Sequence, residues 1–252
     1  MFAKKSLGQN FLISSIYAKK ACDAVDIYED TTILEIGPGK GFLTHFLLEK
    51  AHVIAVEKDT RLINFLNKKF KEEVKKGRLT IISGDVFETD LESVLPENYR
   101  VVANIPYYIS GKILSLLLES DHQPKEMVLM LQKEVGERIV AKNKKESLLS
   151  ISVKTFGDPH IVAQVSKENF KPVPKVDSVL LAIKNISKEK LVGLDEKTFF
   201  SIVKKGFRFR RKVLKNNLEV SSDILTKCLV KELDRPENLN LNQWICLAQN
   251  IS

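Results

Sequence analysis

Thr32-Ile33-Leu34-Glu35-Ile36-Gly37-Pro38-Gly39-Lys40-Gly41 decides the fold of this chain. The first five residues form a short apolar run suited to a buried strand, and the glycines end it. Phe42–Lys50 follows with apolar residues at Phe42, Leu43, Phe46 and Leu47, the spacing of one helix face. Strand, glycine turn and helix in that order make a ligand loop, because backbone without a Cβ can approach a ligand closely and the helix N-terminus favours acceptors. A dinucleotide fingerprint needs its third glycine at position 42, which is Phe42. A phosphate loop needs Gly-Lys-Ser/Thr, which does not follow. The tighter Gly37, Gly39, Gly41 spacing suits S-adenosylmethionine, which has no pyrophosphate to seat.

Outward from this motif the pattern repeats. His52–Val56, Leu79–Ile82, Arg100–Ala103 and Met127–Leu131 read as strands. Thr60–Lys76, Lys112–Glu119 and Glu134–Ala141 read as helices between or after them, Gly77 stopping the first. Strands alternating with helices at this spacing predict an α/β fold, a Rossmann-like, doubly wound and mostly parallel sheet. Leu148–Phe156 is ambiguous between helix and strand, and Ile161–Val165 with Ser178–Ile183 suggests an antiparallel pair closing the sheet. Beyond Asn185 the strands stop, and Lys197–Leu218, Ser222–Glu232 and Leu241–Ile251 read as helices. The expected organisation is a catalytic domain over 1–185 and a small helical domain over 186–252.

The ends of the predicted strands carry polar residues that fit the same ligand. Glu57 follows Gly37 by 20 residues and is placed to accept from ribose hydroxyls, with Asp59 its near competitor. Asp85, after the third strand, is placed to accept from an adenine amine. The fourth strand runs into Asn104-Ile105-Pro106-Tyr107-Tyr108-Ile109-Ser110. The Asn104 carboxamide oxygen and the Ile105 carbonyl can accept from an exocyclic NH2, Pro106 fixes φ without offering a competing donor, and Tyr107 offers a face for a base. That combination predicts an N-methyltransferase.

Composition is permissive. The chain has 252 residues, 44% hydrophobic and 29% charged, ordinary for a folded protein. No apolar stretch approaches a membrane span, and the basic start lacks a signal-peptide core. Forty Lys and Arg against 32 acids suit a polyanionic partner. Cys22, Cys228 and Cys246 have no metal-like spacing and read as free thiols of a reducing cytoplasm, with no metal expected. His45, His52, His122 and His160 are scattered and read as structural or surface groups.

Taken in order, several segments resemble the KsgA-type rRNA adenine N6,N6-dimethyltransferases. They are Lys5-Ser6-Leu7-Gly8-Gln9-Asn10-Phe11-Leu12, Leu34–Gly41, Asn104–Tyr107, Met130-Leu131-Gln132-Lys133-Glu134-Val135, Phe170-Lys171-Pro172-Val173-Pro174-Lys175-Val176-Asp177-Ser178 and Arg210-Arg211-Lys212. The resemblance spans nearly the whole chain. It implies dimethylation of two adjacent adenosines near the 3′ end of small-subunit rRNA, during ribosome assembly, by a cytoplasmic monomer. It implies that Asn10, Leu12, Gly37, Gly39, Gly41, Glu57, Asp85 and Asn104 hold S-adenosylmethionine. It puts Lys4 and Lys5 near RNA, and sets Phe170 opposite Tyr107 around the extruded base. Tyr108 and Gly111 depart from the Asn and Thr of many bacterial members, and the C-terminal domain is short.

Lys204-Lys205-Gly206-Phe207-Arg208-Phe209-Arg210-Arg211-Lys212 interleaves basic and aromatic residues, and Lys215 follows. Arg208, Arg210, Arg211 and Lys212 are the expected contacts to rRNA phosphates. Two other readings share much of this pattern. One is an erythromycin-resistance-type methyltransferase acting on large-subunit rRNA; the other is a non-catalytic RNA-binding or transcription factor on the same fold. Gln132-Lys133-Glu134 and the Arg210–Lys212 segment favour the small-subunit enzyme over the first, and the intact Asn104–Tyr107 loop argues against the second.

Overall fold

The structure, a computed structural model, describes residues 8–209 and 211–251. In chain order it contains β1 (Phe11–Leu12), α1 (Ser15–Asp23), β2 (Thr32–Ile36), α2 (Phe42–Leu48), β3 (His52–Glu57), α3 (Thr60–Lys69), α4 (Lys71–Lys75), β4 (Leu79–Ser83), α5 (Leu91–Val94) and β5 (Arg100–Asn104). There follow α6 (Ser110–Leu118), β6 (Met127–Gln132), α7 (Lys133–Ile139), α8 (Leu148–Phe156), β7 (Asp158–Val165), β8 (Phe170–Lys171) and β9 (Ser178–Lys184). The chain ends in α9 (Glu196–Phe207), α10 (Leu214–Leu218), α11 (Ser222–Lys227) and α12 (Leu241–Ile251). No helix among the described residues is long and apolar enough to cross a membrane.

Seven strands form one sheet in the order β4-β3-β2-β5-β6-β9-β7. The pairs β2–β3, β3–β4, β2–β5 and β5–β6 are parallel, and β9 runs antiparallel to β6 over Met127↔Ile183 to Gln132↔Ser178. The central strands are apolar almost throughout because helices cover both faces of a parallel sheet. Ile33, Val53, Ala55, Val102, Val128 and Met130 are buried in one cluster with Leu43 and Leu47 of α2 and Ala18 and Cys22 of α1. Strand order steps outward through β3 and β4 on one side of β2, and through β5 and β6 on the other. The switch point therefore lies between β2 and β5, where ligands of such sheets bind beyond the carboxyl ends of the strands.

Several expected elements differ in extent, each for a packing reason. The helix expected over Thr60–Lys76 breaks at Phe70 (φ −112°, ψ 33°), whose buried ring turns in against Gly41. Leu148–Phe156 resolves as a helix because Ser147 and Ser150 cap it reciprocally, each hydroxyl accepting from the other's backbone N–H. A two-residue antiparallel ladder joins β1 to β8, Phe11↔Lys171 and Leu12↔Phe170.

The chain divides into two compact units. One runs to Gly136 and resumes over His160–Ile186; the other takes Glu137–Pro159 and the residues from Ser187 onward. The expected boundary at 185/186 falls one residue before the last of the three breaks, whereas α8, expected with the first domain, groups with the second unit. That unit is helical around buried Phe199, Val203, Phe207, Leu214, Trp244 and Leu247. Gly206 lets the Trp244 ring approach, since a Cβ there would lie 2.3 Å from it, and Phe207 stacks on the same ring at 5.4 Å. Here the expected Lys197–Leu218 helix stops at Phe207. The buried Asn217 side chain donates to the carbonyls of Gly206 (2.6 Å) and Phe209 (3.1 Å), which turns the chain before α10. The helix expected over Ser222–Glu232 ends at Lys227, and Leu229 takes a left-handed conformation.

One sequence expectation is overturned in this unit. Cys228 and Cys246 form a disulfide, with Cα atoms 5.5 Å apart, rather than two free thiols. The packing of α11 against α12 brings the two positions together, which no spacing rule detects. Cys22 alone is free, and burial pushes its thiol pKa up to about 12.

Candidate active site

The carboxyl ends of β2, β3, β4 and β5 open on a cleft of about 560 Å³ in the first unit. Five segments that the sequence placed far apart line it: Gly8–Ile13, Glu35–Lys40, Glu57–Lys58, Gly84–Phe87 and Asn104–Ile109. Its size and mixed apolar and polar lining suit a nucleoside-sized ligand.

The loop after β2 keeps its ligand face open. Gly37 has φ +66°, its N–H donates to the Val56 carbonyl (2.9 Å), and a Cβ there would project into open space. Gly39 lies under the Phe11 ring, which a Cβ would meet at 2.9 Å. Gly41 does not line the cleft. It holds α2 in place from behind, against Phe70 and Leu66. Lys69 supports the loop as well, donating to the carbonyls of Lys40 (2.9 Å) and Gly41 (3.0 Å).

Of the two acids at the carboxyl end of β3, Glu57 closes the strand and lines the cleft, whereas Asp59 lies beyond it and does not. Glu57 accepts from the N–H of Gly39 (3.2 Å) and Asp59 (2.8 Å), so its carboxylate is fixed. Burial nevertheless holds its pKa above the usual range. Asp59 caps α3 and is gripped by Arg61, whose Nη2 lies 2.7 Å from Oδ2, and by Gln9 at 3.4 Å. Asp85 is held ionised, below the usual carboxylate range, by the Lys58 ammonium 2.6 Å away. Glu35 is buried at the floor and accepts from Thr44 Oγ1 at 2.6 Å; burial pushes its pKa up to about 8.

At the end of β5, Asn104 Nδ2 donates to the Asn10 carbonyl at 3.0 Å, which leaves Oδ1 as the acceptor. Pro106 (φ −58°, ψ 133°) passes the chain into a 3₁₀ turn over Tyr107–Ile109. Tyr107 is anchored twice: its hydroxyl lies 2.7 Å from Ser178 Oγ, and its carbonyl accepts from Ser110 Oγ at 2.9 Å. Residues 8–13 lie along the cleft, with Asn10 and Leu12 in its lining. Tyr108 is 66% exposed on the rim, its ring against Gly8, and is not a core residue.

The residues fit S-adenosylmethionine: fixed acids at the carboxyl ends of neighbouring strands, a glycine whose missing Cβ leaves the space open, and an apolar wall of Leu12, Val86 and Phe87. Phe170 is a correction. It is 1% exposed and absent from the lining, because pairing with Leu12 turns its side chain into the core; its neighbour Lys171 lines the cleft instead. Sequence reasoning missed the lysines of the lining, Lys40, Lys58, Lys69, Lys112 and Lys171, since no local pattern links them. Lys4, Lys5 and Arg210 lie outside the described residues. Arg208, Arg211 and Lys212 are exposed on the second unit.

A family model described as "Ribosomal RNA adenine dimethylase" matches residues 2–251. Relatives named ribosomal RNA small subunit methyltransferase A include one from Dehalococcoides mccartyi, 38% identical over 97% of this chain and 88% of that protein. Another, from Fusobacterium nucleatum, is 37% identical over 98% and 96%. A solved dimethyladenosine transferase from Plasmodium falciparum is similar at TM-score 0.79 and 26% identity, over 94% of this chain and 95% of that one. The 23S rRNA methyltransferase ErmE shares the fold at TM-score 0.80 and 23% identity, over 96% and 99%.

Proposed function

The chain belongs to the ribosomal RNA adenine dimethylase family, and from that premise we propose how its cleft works and on which RNA. It is an S-adenosylmethionine-dependent rRNA adenine dimethyltransferase. The target is two adjacent adenosines near the 3′ end of small-subunit rRNA, in the cytoplasm, with the protein acting as a monomer. Reductants there favour the thiol form of Cys228 and Cys246. Residues 1–185 carry the chemistry and 186–252 contribute RNA contacts. What carries this reading is the convergence of the Asn104–Tyr107 loop and the Gly37 loop on one cleft, from the two strands flanking the switch point.

Glu57 takes the ribose hydroxyls and Asp85 the adenine amine of the cofactor, whose sulfonium supplies the electrophilic methyl. The target amine is a poor nucleophile because its lone pair is delocalised into the ring. Asn104 Oδ1 and the Ile105 carbonyl accept its N–H groups, which favours a pyramidal nitrogen and stabilises the positive charge developing there. The Asn10 carbonyl fixes the carboxamide the right way round for that task. Tyr107, with both ends tied, holds one face of the extruded base. The rate then depends chiefly on placement.

The test is incubation with labelled S-adenosylmethionine and small ribosomal subunits lacking the modification, followed by mapping of labelled nucleosides. Dimethyladenosine at two neighbouring positions near the 3′ end is expected. Small subunits left unlabelled, or labelled only away from the 3′ end, would overturn the target.

A further inference from the structure

Phe209 stands out on the second unit. It is 48% exposed, one residue beyond the C-cap of α9, while Phe207 two positions earlier is buried against Trp244. Cations flank its ring: the Arg208 guanidinium lies 5.3 Å from the centroid and the Lys212 ammonium 4.9 Å. The backbone beneath is pinned, the Phe209 carbonyl accepting from Asn217 Nδ2 (3.1 Å) and from the Lys212 N–H (3.0 Å). The exposed ring therefore sits on a fixed base.

The charges nearby divide into two sets. Lys205 is paired with Glu219 (3.0 Å) and Lys215 with Glu232 (2.8 Å). Lys204, Arg208, Arg211 and Lys212 are exposed and have no acidic partner among the described residues. Unpaired cations around an exposed aromatic ring match a nucleotide: phosphates draw the cations, and the ring face they vacate receives a base.

We propose that Phe209 is a stacking site for an unpaired base of the RNA, set among phosphate-binding Arg208, Arg211 and Lys212. The site rests on the reading of this unit as an RNA surface and adds a contact to base where only phosphate contacts were expected. Stacking accepts any base, so it contributes affinity and local strand geometry rather than sequence choice.

Binding of single-stranded oligo(A) and of inorganic polyphosphate to the full chain tests it. Phe209→Ala and Phe209→Leu should each weaken oligo(A) binding about fivefold to a hundredfold, leave polyphosphate binding unchanged and leave the salt slope unchanged. Phe209→Trp should retain binding, with its fluorescence quenched by oligo(A) over the constant signal of buried Trp244. Parental oligo(A) affinity in the Ala and Leu variants, or an equal loss toward polyphosphate, would overturn the stacking role. A combined Arg208→Ala, Arg211→Ala, Lys212→Ala variant should flatten the salt slope. An unchanged slope would remove the RNA surface itself, a failure distinct from that of the ring.

Discussion

Asn104 shows how one side chain is oriented by a contact 94 residues away. One N–H of its amide is given to the Asn10 carbonyl, which fixes the orientation of the carboxamide and leaves its oxygen to accept from a substrate amine. Asn104→Ala should lower methyl transfer by about 100-fold or more, the effect of removing one preorganised polar group. RNA binding, measured separately, should survive. Glu35 gives a second prediction. Its folded pKa, raised to about 8 by burial, lies above the unfolded value of about 4.3. The folded chain keeps a proton the unfolded chain has lost, so this group's contribution to stability falls as pH rises from about 4 to about 8 and then levels off. Urea midpoints compared at about pH 6 and about pH 9 should show Glu35→Gln gaining on the parent at the higher pH. Gln can still accept from Thr44. Parallel midpoints would mean that Glu35 is ionised in the folded chain throughout.

Among the elements, the loop between β2 and α2 is closely packed from behind. Gly41 sits at φ +67° as the N-cap of α2, and a Cβ there would lie 2.4 Å from the Phe70 ring. Gly41→Ala combines left-handed strain of about 1–2 kcal/mol with overpacking of about 1–3 kcal/mol. Chemical denaturation should register the loss, even though Gly41 does not line the cleft. The same contact explains why a helical pattern running from Thr60 to Lys76 breaks at Phe70. Periodicity reports which face is apolar, but not that one ring must turn aside to fill a space behind a glycine. At α9 the cause is a hydrogen bond: Asn217 ends a helix from eleven residues downstream.

At the scale of the whole molecule the disulfide is the feature composition concealed. It closes a segment of sequence separation 18, worth about 3 kcal/mol in the chain-entropy account. Cys228→Ser should lower the unfolding free energy by about that amount under oxidising conditions. With a reductant present, the gap between variant and parent should close. RNA affinity should fall linearly with salt on logarithmic axes, by about 0.7 per phosphate neutralised on a single strand. The sequence alone determined the α/β order, the three-glycine loop and the acceptor loop at the end of β5, because those signals are local: a period of two or 3.6, a glycine, a proline. The segments that carried the family resemblance were likewise readable as short runs. Only the tertiary structure decided that Glu57 rather than Asp59 faces the cleft and that Phe170 is buried while Lys171 is not. It alone seated residues 8–13 beside Asn104, gathered five lysines in one lining and joined two of three cysteines. Each of these depends on which distant segments pack together, and packing is set by the shapes of surfaces that a linear pattern does not contain.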